Sequence, residues 1–313
     1  MRGWWQDLTD LVLPADCAGC GAPRTALCPR CRATLDGGLA RRARPVPEPA
    51  GLPVVHAVAP YAAEVRALLL AHKERGALAL AGALGVALAR AVRAGLAEGV
   101  EDAGGFGPAA SGLGPGSGGG AGAGPVVPTW REPLLLVPVP SARWAVRARG
   151  HDPVRRMALA AARELRRTGT PARVAAVLRQ RRAVADQAAL DAPGRLANLA
   201  GALEVTAGGA PLLGDGRRVV LVDDLMTTGA SLAEAARALR ETVVSGVSGA
   251  HGGRAVYRAI TREGREERRI GSEQERTESV HSAPEKAVPN ARARMPRAAV
   301  IAAPADSLEI IRN

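Results

Sequence analysis

Two sets of residues in this 313-residue chain have the types and spacing to do chemistry. The first is the stretch VVLVDDLMTTGAS, residues 219–231, where the adjacent carboxylates Asp223 and Asp224 stand between an apolar run and a turn of threonine, glycine and serine. Val219 to Val222 read as a short buried strand, which places the two carboxylates at its carboxyl end, where open α/β sheets bind their ligands. Leu232, Ala235, Ala236 and Leu239 mark one face of a following helix. Between strand and helix, Gly229 tolerates unusual backbone angles, while Thr227, Thr228 and Ser231 set hydroxyls beside the free amides of a helix N-terminus. Such a turn cradles a phosphate. Carboxylates one step upstream accept hydrogen bonds from two neighbouring hydroxyls, as on a ribose. A phosphate and a vicinal diol held together describe a ribose 5-phosphate.

The second set is Cys17, Cys20, Cys28 and Cys31, every cysteine of the chain, spaced C-x-x-C, seven residues, C-x-x-C. Four thiolates with this paired spacing suit one tetrahedral zinc ion, and GCG and CPRC supply the glycine and proline of tight knuckles. Two disulfides are the alternative, disfavoured in a cytosolic chain. A four-cysteine site is closed to substrate, so its role is structural or in binding.

The elements that must position these residues follow from composition. Residues 1–36 form an N-terminal helix and cysteine module. Residues 52–240 form the main domain, which opens on VVHAVA and two Ala/Leu-rich helical stretches. A glycine-rich linker or loop at 101–128 interrupts it. From residue 133 onwards LLLVPV, DPVRRMALAAARELRR, RVAAVL, RRVVLVD and SLAEAARALR alternate apolar runs with helical patterns. That alternation predicts an α/β fold with a mainly parallel sheet flanked by helices. Residues 244–296 are polar and charged and read as a disordered insertion.

Composition narrows the functions. Aromatic residues are only 2% of the chain, so the core is built from Ala, Val and Leu. Forty arginines against two lysines, Lys73 and Lys286, contribute to a net charge of +12, a balance that suits anionic partners. Asp7 and Asp10 interrupt what would be the apolar stretch of a signal peptide, and Arg90 and Arg93 interrupt the stretch 77–97. The chain therefore reads as soluble and cytoplasmic, without a membrane span. Gly114, Gly116 and Gly119 match G-x-G-x-x-G but lack a preceding strand and a following helix, and no G-x-x-x-x-G-K-[ST] loop is present. Dinucleotide binding and P-loop nucleotide hydrolysis are set aside.

The stretch 219–231 resembles the ribose-phosphate loop of the type I phosphoribosyltransferases, an apolar strand, two acidic residues and a Thr-Thr-Gly-Ala-Ser/Thr turn. LLLVPVP followed by SARWAVRARGHD, PYAAEVRALLLAHKERG and LRQRRAVADQAALDAPGRLANLAGAL are similar to segments of one branch, the ComF family, associated with competence and DNA uptake. ComF proteins carry an N-terminal zinc module, as the cysteine spacing does here. Where Arg-Gly-Phe-Asn-Gln is usual in that family, this chain has Arg149, Gly150, His151, Asp152 and Pro153, departing at the last three, so no role of the Asn-Gln pair is carried over.

The resemblance implies a type I phosphoribosyltransferase-like fold that binds phosphoribosyl pyrophosphate with magnesium. Asp223 and Asp224 would hold the ribose hydroxyls, and Met226, Thr227, Thr228, Gly229, Ala230 and Ser231 the 5-phosphate. Ser141, Arg143, Arg147, Arg149, Gln187, Arg195 and Lys73 are candidates for the pyrophosphate side or a lid. It also implies that the apolar run 298–304, rather than 254–260, is the final strand. Three readings stay open: a phosphoribosyltransferase acting on an unnamed acceptor, a non-catalytic module binding phosphoribosyl pyrophosphate or a related nucleotide, and a single-stranded DNA-binding protein of the uptake machinery.

Overall fold

The computed structural model describes residues 16–103, 133–184, 191–213, 218–249 and 296–309. Helix α1 (Pro29–Asp36) begins where the Cys28 thiol caps it and Pro29 needs no hydrogen-bond partner for its nitrogen. Strands β1 (Arg41–Ala43) and β2 (Val55–Pro60) follow, then α2 (Ala63–Glu74) and the long α3 (Ala81–Ala103). Strand β3 (Leu134–Pro138) leads into a short α4 (Arg143–Arg149), ended by Gly150 at φ +73°, and α5 (Pro153–Arg167), capped by Asp152. The short β4 (Ala172–Val174) and β5 (Leu178–Gln180) come next, then α6 (Ala192–Leu199) capped by Asp191, and β6 (Leu203–Val205). Strand β7 (Val219–Leu225), helix α7 (Ala230–Gly249) and strand β8 (Arg297–Ala303) complete the order.

Six strands make one sheet in the order β1-β2-β8-β7-β3-β4. Only β1 and β2 run antiparallel; every other neighbouring pair is parallel. The fold is thus α/β with a mostly parallel mixed sheet. Side chains alternate across it, as the two-residue period of a strand requires. Val220 and Val222 of β7, Leu134 and Leu136 of β3 and Ala299 and Ile301 of β8 face α3 and α5. Leu221, Leu135, Val137, Ala298 and Val300 face α7 on the other side. Both faces are covered, which is why these strands are continuously apolar.

Alanine at the helix–helix contact permits close approach. A Cβ added at Gly85 of α3 would stand 2.4 Å from the Ala160 Cβ of α5. The segment Leu78–Glu98 is long and apolar enough to cross a membrane, but more than half of it is buried, with Leu84, Ala87, Leu88 and Ala91 fully enclosed. It is a core helix.

Several boundaries differ from those expected. RVAAVL forms two strands in two sheets: β4 joins the main sheet, and β5 turns away to pair with β6 as a separate antiparallel ribbon. The Val177 N–H donates to the Ala175 carbonyl, and that tight turn makes the break. Strand β1 lies ahead of residue 52, too short and arginine-rich to show a period. Helix α3 continues through 101–103, and α7 continues six residues into the span 244–296, because neither stretch has a proline to end it. The N-terminal stretch 1–15 ahead of the cysteine module, where the N-terminal helix is expected, the rest of 101–128, residues 250–295 of the proposed insertion and the run 254–260 lie outside the described residues. The run 298–304 falls on β8, which is not an edge strand but lies between β2 and β7.

Ile301 is fully buried in that central strand. Ile301→Ala is expected to lower stability by about 2–5 kcal/mol, read as a lower urea midpoint with an unchanged slope.

Candidate functional site

Strand β7 delivers Asp223 and Asp224 to the C-terminal edge of the sheet, and alternation sends them to opposite faces. Both are almost completely buried. Burying two adjacent carboxylates is costly unless a cation or donors compensate. The Asp223 Oδ1 accepts the Asp224 N–H at 2.8 Å, and the Asp224 Oδ2 accepts from Lys73 Nζ at 2.9 Å. Lys73, expected on the pyrophosphate side or a lid, thus sits on the acidic pair from the last turn of α2.

The two carboxyls part company in ionisation. Burial, and then the Asp224 charge, hold the Asp223 carboxyl well above the usual carboxylate range. Burial is the largest single influence on Asp224 and opposes its charge, but the Lys73 ammonium together with hydrogen bonds from Asp223, Lys73 and the Leu225 N–H outweighs it and holds that carboxyl below the usual range. Lys73 is raised in turn, chiefly by Asp224. Asp224 and Lys73 form the ion pair, and Asp223 is the more readily protonated of the two carboxyls.

The turn after β7 is shaped by one glycine. Gly229 has φ +75°, a left-handed backbone that favours glycine, and a Cβ there would stand 2.9 Å from Leu52 Cδ1 and force that side chain to shift. Met226 is buried and its N–H donates to the Ala302 carbonyl, tying the turn to β8. Thr227 is exposed, Thr228 and Ser231 are half-buried, and α7 starts at Ala230, whose N–H donates to Thr228 Oγ1 at 3.5 Å. Hydroxyls and first-turn amides therefore converge where a helix N-terminus attracts an anion. Arg195 of α6 donates to Thr227 Oγ1 at 3.4 Å.

A cleft of about 390 Å³ opens past the end of β3. Ser141, Arg143, Arg147, Asp152, Arg179 and Gln180 line it. Strands β3 and β7 are hydrogen-bonded neighbours, and the Val139 N–H donates to the Val222 carbonyl, so the cleft and the acidic pair lie past the C-terminal ends of adjacent strands. Among the described residues Arg143 and Arg147 have no anionic partner. Arg179 pairs with Glu204 at 2.7 Å, and Arg149 turns away from the cleft to hold both Glu74 oxygens at 3.0 Å. A second cleft of about 230 Å³ borders Thr227 and Thr228, walled by Pro45, Pro47 and Pro304 with Asp306 and Ser307. Gln187 lies outside the described residues.

Three supporting residues gave no signal in the sequence. Glu74 secures Arg149. Glu234 of α7 accepts the Leu203 N–H at 2.9 Å while Arg237 donates to both Glu234 oxygens and to the Leu203 carbonyl, which docks the β5–β6 ribbon on α7. Acid–base spacing at i,i+3 is common on any helix, so nothing marked this pair out.

The four cysteines come together at the start of the chain, their sulfur atoms within 4.8 Å of one another and unlinked by disulfides. The Cys28 N–H donates to the Cys17 sulfur at 3.3 Å and the Cys31 N–H to the Cys28 sulfur at 3.4 Å. Burial opposes the Cys17 thiolate, but the amides of Cys28, Cys20 and Gly19 bring it down to about 6; burial pushes Cys31 up. Four sulfurs so grouped, with amides aimed at two of them, can hold a metal ion, and the donor set is compatible with structural zinc.

No protein-family model matches this chain, and no curated protein matches it. The site must speak for itself.

Because Asp224 titrates low, its pairing with Lys73 contributes stability that is present above the ordinary Asp range near 3.9 and is lost as pH falls through the lower folded value. Asp223, held high, costs stability at neutral pH, and the cost shrinks as pH falls towards about 3.9. At pH 7 Asp223→Asn is expected to raise the thermal midpoint and Asp224→Asn to lower it, the first gain fading at acid pH. Gly229→Ala should cost at least ~1 kcal/mol from the left-handed backbone alone, measured by the same melts.

Proposed function

We propose that this protein is a type I phosphoribosyltransferase-like member of the ComF family that binds phosphoribosyl pyrophosphate with magnesium. The observation that carries the reading is the placement of three features past the C-terminal ends of adjacent strands β3 and β7: a buried acidic pair, a threonine-glycine turn opening a helix, and a cleft in which Arg143 and Arg147 have no anionic partner among the described residues. Each matches one part of that ligand. Asp224, paired with Lys73, accepts from a ribose hydroxyl, and Asp223 accepts from the neighbouring one. Thr227, Thr228, Ser231 and the first amides of α7 receive the 5-phosphate. Ser141, Arg143 and Arg147 face the pyrophosphate, where arginine forks suit phosphate oxygens.

Magnesium suits the pyrophosphate oxygens as a hard cation that keeps most of its other ligands as water. In the transfer reading, the bond from ribose C1 to pyrophosphate breaks and the pyrophosphate leaves with the electron pair. A ring nitrogen of the acceptor forms the new bond to C1 and loses its proton. The chain's share is placement and charge: the arginines stabilise the departing anion, and the turn fixes the sugar. Zinc in the Cys17, Cys20, Cys28 and Cys31 module is structural, and the protein is cytoplasmic.

Calorimetric titration of the zinc-loaded protein with phosphoribosyl pyrophosphate and magnesium tests the reading. The wild type is expected to bind, and the Asp223→Asn, Asp224→Asn double variant, folded by circular dichroism, to show no heat. Absence of binding by the wild type would sink the proposal.

One observation favours a second reading, single-stranded DNA binding. Trp144 on α4 is 63% exposed and stands between Arg143 and Arg147 in sequence. An aromatic side chain near two cations that have no anionic partner among the described residues suits base stacking with phosphate contacts. On that reading Trp144→Ala weakens binding of a labelled oligothymidylate in an anisotropy titration, by about 1–3 kcal/mol, and leaves phosphoribosyl pyrophosphate binding unchanged.

A further inference from the structure

Helix α2 touches the cysteine module at one end and the acidic pair at the other. Near its start, Glu64 accepts from Arg30 of α1 at 2.6 Å, two residues after Cys28 and next to Cys31. One turn on, Leu68 is fully buried against the module. A Cβ on Gly19 would stand 2.8 Å from the Cys31 sulfur and 3.3 Å from Leu68, so this contact has no slack. Five residues later, about 7.5 Å along the helix, comes the last turn with His72, Lys73 and Glu74.

Those three consecutive side chains grip three different elements. His72 is buried, its Nδ1 3.3 Å from the Ala77 carbonyl oxygen and its Nε2 3.4 Å from that of Pro153 at the start of α5. Lys73 holds Asp224 of β7, and Glu74 holds Arg149 at the end of α4, the helix that carries Arg143 and Arg147. A movement of α2 would therefore reach both halves of the ligand site together. The chain also uses lysine only twice in 42 basic residues and spends one of them here. A compact ammonium meets one carboxylate oxygen at a fixed distance; a guanidinium fork would reach past it and engage both carboxyls.

We propose that the metal-binding state of the four-cysteine module sets ligand affinity at the Asp223–Asp224 pair, with α2 as the connecting rod and Lys73 as the positioning residue at its end. The proposal rests on the ribose-phosphate reading above and adds its regulation. Loss of metal frees Cys31 and Leu68 to shift, α2 loses its fixed end, and Lys73 no longer stands where it keeps Asp224 ionised and aimed. Coupling of this kind is reciprocal: a ligand that tightens one end must tighten the other by the same factor.

Zinc release from the full-length, zinc-loaded protein to the chelator 4-(2-pyridylazo)resorcinol, followed by absorbance, tests the link without any assay of activity. Saturating phosphoribosyl pyrophosphate with magnesium is expected to slow release about tenfold, within the usual range for coupled sites. In Lys73→Met the protein is expected to bind one zinc per chain, to release it severalfold faster than wild type even without ligand, and to lose the ligand's effect. Glu64→Gln, which alters neither site, is expected to reduce the ligand's effect. Calorimetric binding with an unchanged release rate would overturn the coupling and leave the ligand assignment standing. If calorimetry shows no ligand binding, the ribose-phosphate reading falls, and the ligand-free comparison of wild type with Lys73→Met still decides the link: equal release rates overturn it.

Discussion

Two carboxyl groups on neighbouring residues of a buried strand are an electrostatic problem, and the contact between Lys73 and Asp224 is its solution. The contact spans 151 residues of sequence. Without it β7 would carry a charge into the sheet edge with no cation against it among the described residues, covered by hydrogen bonds such as the backbone amide that Asp223 receives. The surrounding architecture serves this one ion pair. Strand β7 is buried by helices on both faces, α2 approaches over the cysteine module, and the turn at Gly229 closes against Leu52 so that α7 starts directly above the pair.

An asymmetric pair is also more versatile than two equal carboxylates. One member is held towards its anion and the other is shifted towards its protonated form, so the two differ in how readily each accepts or donates a hydrogen bond. The arginines in the neighbouring cleft stay outside this arrangement. Distance along the sheet edge separates a region organised around two carboxyls and an ammonium from one organised around permanent cations.

The mainly parallel α/β character was legible because LLLVPV and RRVVLVD are continuous apolar runs between helical patterns, which only strands covered on both faces show. The acidic pair and turn were legible as an unbroken local motif, and the cysteine cluster by its spacing. What was not legible is long-range or chemically ordinary. Nothing local distinguishes Lys73 as the partner of a residue 151 positions away, or Glu74 as the partner of Arg149. The division of RVAAVL between two sheets depends on one carbonyl–amide contact within four residues, to which hydrophobic periodicity is blind. Arg149 illustrates the same limit: in a chain with forty arginines, residue type says little about which of them face a ligand.

The central place of β8 has a consequence for how the molecule is made. Strands β2 and β7 do not touch; each pairs with β8, whose residues are 297–303. A growing chain therefore holds β2 beside a gap, and the two halves of the sheet cannot join until synthesis has passed that point. The acidic pair waits with them, because Asp223 pairs in register with Val300 and the Met226 amide is received by Ala302. At the usual pace of about 5–20 residues per second, more than two hundred residues separate the emergence of the strand from that of its neighbour, so the apolar edge of β2 is exposed for about ten seconds or longer. An Ala-rich, aromatic-poor sheet is well suited to such a wait, since its unpaired strand presents less sticky surface than one built from large side chains.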